Sequence, residues 1–259
     1  MANLIERIQE IDNSWVKNIN TIEFSKGIFE DNNILESENL TPSHVASVVN
    51  RLTLRLNGMS QRNAFAKGVY GFLIKKQCLE LPNNDELAEL RWINYLNEKN
   101  IMKACKLCSY DIWVDNYSYA KNRNPEYIEP SKSTIRNIEI MTKRAMDFLE
   151  MNGPVKRVGF DFKKGYTNKL SSLTGEYLTD KTLWIIRTSM YEPTLLDKLE
   201  IVIQYIMAKR SEDEQLEKVT QFGIYNPRKN ICYVVDTEHY YHDFYLKNTL
   251  ASIKRKLLF

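Results

Sequence analysis

Residues 174–189, TGEYLTDKTLWIIRTS, decide the fold class of the second half of this chain. They predict two strands around a tight turn, and the second strand is very apolar. Asp180 and Lys181 lie at the turn, where aspartate favours turn geometry. The second strand ends on Ile185, Ile186 and Arg187.

The elements around this hairpin predict a mixed sheet. A loop is expected before residue 133 and a helix over 133–153. Strands are expected to follow in 155–165, 166–178 and 181–189. A long amphipathic helix follows in 192–211, then strands in 219–227 and 230–236 joined by the turn formers of 226–230. A last helix is expected from His239 to Leu258. This order predicts an α+β (α/β-like) domain.

The first hundred residues have a different pattern. In 40–58, Thr41 is a plausible helix N-cap, Pro42 fits the first helical position and Gly58 fits the stop. Residues 60–78 and 84–100 also have helical patterns, whereas 24–40 is polar and predicted to be irregular. The alternating, aromatic stretch 110–117, YDIWVDNY, predicts a strand. We therefore expect a helical region 1–105, packed on or beside an α/β core in 106–259.

Composition excludes some classes of protein. The 259 residues are 43% hydrophobic and 27% charged, which is ordinary for a globular protein. No apolar run approaches a membrane span and the N-terminus lacks signal-peptide character, so no membrane partner is expected. Four cysteines do not make a disulfide framework, which favours a reducing cytoplasm. The net charge of +3 is compatible with nucleic acid but does not require it.

The order helix, three strands, helix, strand resembles the common core of the PD-(D/E)XK nuclease superfamily. The hairpin 174–189 with the helix after it is similar to the RecB-type and λ-exonuclease-like branch. The closing FGIYNPRKNICYVVD, residues 222–236, resembles a group of bacterial and phage proteins with that core. The resemblance covers roughly residues 105–240 and implies an αβββαβ core of PD-(D/E)XK type.

The resemblance also implies where a catalytic site would lie. Phosphodiester hydrolysis needs a metal such as Mg²⁺, which takes oxygen ligands, so carboxylates must converge. Glu176 matches the acid of the second core strand. The Asp/Glu-x-Lys positions hold Ile185, Ile186 and Arg187, so the acid is lost and the lysine has become arginine. The helical Gln-x-x-x-Tyr positions hold Glu200 and Gln204.

Two functions remain open. Glu176, Arg187 and Glu200 are candidate site residues of a remnant, inactive site, in a protein that binds DNA or a DNA-handling protein. By family analogy such a protein belongs to phage or mobile-element biology, in defence or counter-defence, for example as an inhibitor of a nucleic-acid-targeting system. The alternative is an active Mg²⁺- or Mn²⁺-dependent nuclease with a rearranged carboxylate site, helped by Asp161 or Asp197.

Other patterns are weaker. Asp161-Phe162-Lys163 is a literal D-x-K, but it lies one strand too early for the motif. A C-x-x-C at Cys105 and Cys108 and an H-x-x-H at His239 and His242 suggest zinc, yet they are too far apart for a zinc finger. No metal ligand is therefore assigned and no cofactor is expected. Candidate DNA-binding residues are the clustered cations Lys156, Arg157, Lys163, Lys164, Arg228 and Lys229.

Overall fold

The computed structural model describes residues 19, 22–81, 90, 92–166, 173–238, 248 and 251–252. The chain divides into two compact units. The sheet unit comprises 1–30 and 148–259, and the helical unit comprises 31–147. The boundary expected near residue 105 falls inside the helical unit. Most of the helix expected over His239–Leu258 lies outside the described residues.

The sheet unit contains a six-stranded mixed sheet, which confirms the α+β class. Its strands lie in the order β1-β6-β5-β4-β3-β2, with β4 parallel to β5 and every other pair antiparallel. The strands are β1 (Ser25–Ile28), β2 (Arg157–Asp161), β3 (Thr174–Leu178), β4 (Thr182–Ile186), β5 (Gln221–Asn226) and β6 (Ile231–Asp236). The expected order of helix, three strands, helix and strand is present.

β4 is an interior strand of the sheet, and all five of its residues are buried. Alternate residues face opposite ways. Leu183 and Ile185 join the core formed with helix α8 (Leu195–Arg210). Trp184 instead meets the ring of Phe148, whose centroid lies 4.8 Å away. The predicted apolar second strand of the hairpin is therefore a central strand of the sheet.

β1 corrects one expectation. Residues 24–40 are not wholly irregular, because Ser25–Ile28 pair with β6, Ser25 opposite Val234 and Ile28 opposite Ile231. Partners more than 200 residues apart leave no local signal, and SKGI has one apolar side chain, which is exposed.

The helical unit has its own core. Its helices are α1 (Pro42–Leu56), α2 (Gln61–Ala64), α3 (Ala66–Cys78), α4 (Glu98–Ser109), α5 (Ile112–Asp115), α6 (Tyr117–Arg123) and most of α7 (Lys132–Met151). The Thr41 hydroxyl accepts a hydrogen bond from the His44 amide, and Gly58 has φ of 103°, as the sequence predicts. No helix within the described parts of the chain is long and apolar enough to cross a membrane.

The strand expected over 110–117 is wrong. Residues 112–115 and 117–123 are helical, and the Asn116 side chain accepts from the Tyr119 amide at the start of α6. Trp113 is 1% exposed and belongs to the core of the helical unit. Burial of this ring among helices overrides the strand propensity of the stretch.

Candidate functional site

The candidate site lies where β3, β4 and the first turns of α8 meet. Glu176 is at the middle of β3 and shares a face with Leu178, which belongs to the core under α8. Arg187 directly follows β4, and its backbone N–H donates to the Tyr225 carbonyl at 2.9 Å, as in the parallel ladder. Asp197 and Glu200 are three residues apart on α8 and so lie on one helix face.

The start of α8 is fixed by a capping box. Thr194 accepts a hydrogen bond from the Asp197 amide, and Asp197 accepts one from the Thr194 backbone N–H at 2.8 Å. This reciprocal pair satisfies helix N–H groups that would otherwise lack partners. It also leaves the second carboxylate oxygen of Asp197 turned towards Arg187.

The guanidinium of Arg187 lies between three carboxylates. Its Nη1 is 2.7 Å from Oε1 of Glu176, its Nη2 is 2.7 Å from Oε2 of Glu200 and its Nε is 3.2 Å from Oδ1 of Asp197. Nη1 also donates to the Ile186 carbonyl at 2.8 Å. The planar fork of arginine permits this simultaneous contact, which a lysine ammonium on a flexible stem would not reproduce. We call these four residues the Arg187 cluster.

The second oxygen of Glu176 is also occupied. It accepts the backbone N–H of Ile186 at 2.9 Å, so both oxygens of this carboxylate have donors. On α8, the Gln204 amide donates to Glu200 at 3.4 Å. Thus the positions matched by resemblance, Glu176, Arg187 and Glu200, lie in one connected network.

Burial strengthens the electrostatic interactions within this network. The side chains of Arg187 and Glu176 are 18% and 13% exposed, so solvent screens their attraction weakly. Burial raises the pKa of Glu176 above its ordinary value, although Arg187 opposes that shift. Burial lowers the pKa of Arg187, but the carboxylates of Glu176 and Glu200 outweigh it and raise that pKa overall. Arg187 therefore stays a cation at every accessible pH.

The cluster does not fit a catalytic metal. A Mg²⁺ ion would need the carboxylate oxygens that now accept from Arg187, and the guanidinium brings positive charge to the same place. Ile185, at the position where the resemblance implies an acid, is fully buried in the core under α8 and offers no oxygen. Among the described residues no group of three His, Cys, Asp or Glu side chains is arranged to hold a metal ion.

From the sequence, Asp197 is predicted only as an auxiliary residue of the alternative, metal-dependent site. Two signals in the sequence indicate that Asp197 lies at the start of α8 on the same helix face as Glu200. Thr194 and Asp197 form a T-x-x-D capping pattern, and Asp197 precedes Glu200 by one helical turn.

The cations predicted to bind DNA lie at three places in the sheet unit. Lys156 directly precedes β2, Arg157 is its first residue, and Lys163 and Lys164 lie in the turn after it. The last two, Arg228 and Lys229, belong to the β5–β6 turn. In the sheet, β2 and β5 are separated by two strands, or about 14 Å at the usual strand spacing.

Most of these cations already have acidic partners in the sheet unit. Arg157 makes a two-pronged pair with Asp213 at 2.7 and 2.9 Å. The other ion pairs join Lys156 to Asp180 at 3.2 Å, Lys229 to Glu192 at 3.3 Å, and Lys164 to Glu212. A phosphate backbone would have to compete with these carboxylates.

The remaining sequence motifs lie outside the Arg187 cluster. Asp161 is the last residue of β2 and accepts a long hydrogen bond, 3.4 Å, from the Tyr166 hydroxyl. Cys105 and Cys108 are buried in α4, and burial raises the pKa of Cys108 to about 12, so it is a thiol at neutral pH. His239 and His242 lie outside the described residues.

The fold and the Arg187 cluster define an α+β protein in which one arginine lies among three carboxylates. Comparisons of the chain with protein-family models, with curated proteins and with solved structures return no match.

Proposed function

We propose that this chain is a nuclease-like protein of PD-(D/E)XK type whose site has lost metal chemistry, and that it acts by binding. The order of elements from α7 to β5 supports this proposal, as do the positions of Glu176, Ile185 and Arg187 on adjacent strands. The family assignment rests on the resemblance of the hairpin and of residues 222–236.

The observation that carries the proposal is the position of Arg187. Its guanidinium contacts the carboxylates of Glu176, Asp197 and Glu200 within 3.2 Å, in a part of the site that is largely shielded from water. Hydrolysis of a phosphodiester requires that a metal polarise the phosphate and supply hydroxide. In this arrangement the oxygens that would hold the metal stabilise an arginine instead.

The partner is proposed to be DNA, or a protein that processes or targets nucleic acid. This follows from the family analogy, which places such proteins in phage and mobile-element defence or counter-defence. An inhibitor of a nucleic-acid-targeting system is one form of that role.

The alternative, an active nuclease, is favoured by one feature. Three carboxylates contact the one guanidinium of Arg187, and Glu176 and Glu200 would be left without this cation if Arg187 moved away. This alternative would use Mg²⁺ or Mn²⁺ held by Glu176 and Glu200.

A cleavage assay separates the two functions. The purified chain is incubated with single- and double-stranded DNA and Mg²⁺ or Mn²⁺, beside Glu176→Ala and the control Glu139→Ala, whose residue forms an exposed pair with Lys143 on α7. We expect no cleavage by any of the three proteins and no thermal stabilisation by the metals. Metal-dependent cleavage that Glu176→Ala abolishes and Glu139→Ala retains would establish the nuclease.

A further inference from the structure

A second basic surface lies in the helical unit, on α4. Lys99, Met102, Lys103 and Lys106 follow the spacing i, i+3, i+4 and i+7, so they form one stripe along the helix. The opposite face, which carries Ile101, Ala104, Cys105 and Cys108, is buried in the core of the unit.

This stripe borders an open groove of about 480 Å³. Of the residues that the structure describes, the three lysines, Met102, Leu90 and Tyr127 line the groove. Its volume is within the range of ligand pockets, roughly 300–1,000 Å³, and is large enough for one nucleotide. Apolar side chains and an aromatic ring lie beside cations here, which distinguishes the groove from an ordinary solvated charged face.

Two lysines of this stripe differ from the paired cations of the sheet unit. Neither Lys99 nor Lys103 forms an ion pair with an acidic side chain among the described residues, whereas Arg157, Lys164 and Lys229 all do. The only acid within α4 is Glu98, at its first position. Over the seven residues from Lys99 to Lys106 the helix rises about 10 Å, a distance over which a nucleic-acid strand presents several phosphates.

Aromatic rings accompany the lysines. Tyr127 is half-buried and lines both the groove and a neighbouring pocket of about 260 Å³, which also contains the exposed ring of Tyr119. Trp92, two residues from Leu90 of the groove, is 72% exposed. A cationic track with accessible rings is the arrangement that binds single strands, since unpaired bases stack on the rings while lysines contact the phosphates. In a duplex the faces of the bases are stacked on one another, so they could not stack on these rings.

We propose that the groove along α4 is a binding surface for single-stranded nucleic acid. It rests on the proposed function, in which the protein acts by binding, and it names the ligand class and the surface. Lys99, Lys103 and Lys106 contact successive phosphates and Tyr127 stacks on a base.

The test is binding of fluorescent oligothymidylate and oligouridylate, measured by anisotropy over about 50 to 200 mM salt. The triple variant K99Q/K103Q/K106Q is compared with K121Q/K132Q/K143Q, which removes the same charge from exposed lysines of the same unit. Each lost phosphate contact reduces the slope of log K against log salt by about 0.7, so the triple variant loses about 2 in slope and roughly 100-fold in affinity near 0.1 M salt. The control triple keeps the parent's affinity within a few-fold.

Tyr127→Ala tests the stacking contact and should weaken binding by roughly 5- to 100-fold, whereas Tyr70→Ala, at an exposed ring on α3, should not. Equal binding of the oligonucleotides by the two triple variants would overturn the proposal. It would also be overturned if the parent chain bound polyglutamate as tightly as the oligonucleotides and K99Q/K103Q/K106Q abolished that binding. If the parent chain binds neither oligonucleotide, this surface is refuted while a protein partner remains. Metal-dependent cleavage would refute the proposed function and leave the groove to be judged by the triple variants.

Discussion

Replacing Arg187 with methionine should destabilise the protein severely at neutral pH. The change keeps an apolar stem and removes the guanidinium from three carboxylates. Deleting one partner of a buried ion pair costs about 3–5 kcal/mol, because the remaining charges are left without compensation. The four side chains here are 13–20% exposed. Water therefore relieves part of the penalty, and we expect a loss near the lower end, about 3 kcal/mol.

The assay is urea unfolding at several pH values. In Arg187→Met the buried carboxylate of Glu176, whose pKa Arg187 holds down against the effect of burial, loses that cation, so its protonation becomes favourable in the folded state. The stability deficit relative to the parent should shrink as the pH falls towards the ordinary range of carboxyl groups. Arg187→Lys should cost less than Arg187→Met, because it keeps the charge but loses the fork.

The matched control is Lys143→Met, which removes a cation from an exposed i,i+4 pair with Glu139. It should cost no more than about 0.5 kcal/mol. If Arg187→Met costs as little as this control, or if its deficit does not depend on pH, the reasoning about a buried, uncompensated carboxylate cluster is refuted.

Three further predictions test the neighbouring structure. Ile185→Asp should lower the free energy of unfolding in urea by more than about 4 kcal/mol, because it buries an unpaired charge. Ile185→Val should lower it by only about 0.5–1.5 kcal/mol. Similar losses in the two variants would show that Ile185 is not a core residue. Gly175→Ala should lose about 1–3 kcal/mol, since a Cβ there would lie 2.3 Å from the ring of its cross-strand partner Phe160, and Phe160→Leu should reduce that loss; an unchanged melting temperature in Gly175→Ala contradicts this packing. The hydrogen bond from Arg144 lowers the pKa of Asp31 to about 2, so the pair stabilises the fold above the ordinary aspartate pKa and this contribution is lost as the pH falls towards 2. Asp31→Asn should therefore lose about 1 kcal/mol at neutral pH and show a smaller decline in acid; an identical acid titration of both proteins would rule the contribution out.

Local signals were sufficient for most of the described elements. Thr41, Pro42 and Gly58 mark both ends of α1, and the turn at Asp180 and Lys181 separates β3 from β4. Such signals depend on side chains next to the element itself, so one sequence contains them.

The sequence did not reveal elements that depend on distant partners. β1 exists because Ser25–Ile28 meet β6, and nothing in SKGI predicts that pairing. At 110–117 the alternation is real, but Trp113 is buried among helices and the chain is helical there. The arginine at position 187 was visible in the sequence, whereas its contact with Asp197 depends on how α8 packs against the sheet.

In the proposed function, Arg187 occupies the place where a nuclease of PD-(D/E)XK type would hold its metal. This placement is tested most directly by soaking crystals of the protein in Mn²⁺ and recording anomalous scattering. We expect Arg187 to remain between Glu176 and Glu200, with no manganese peak within ligand distance of either carboxylate. A manganese ion bound by Glu176 and Glu200, with Arg187 displaced, would contradict the account.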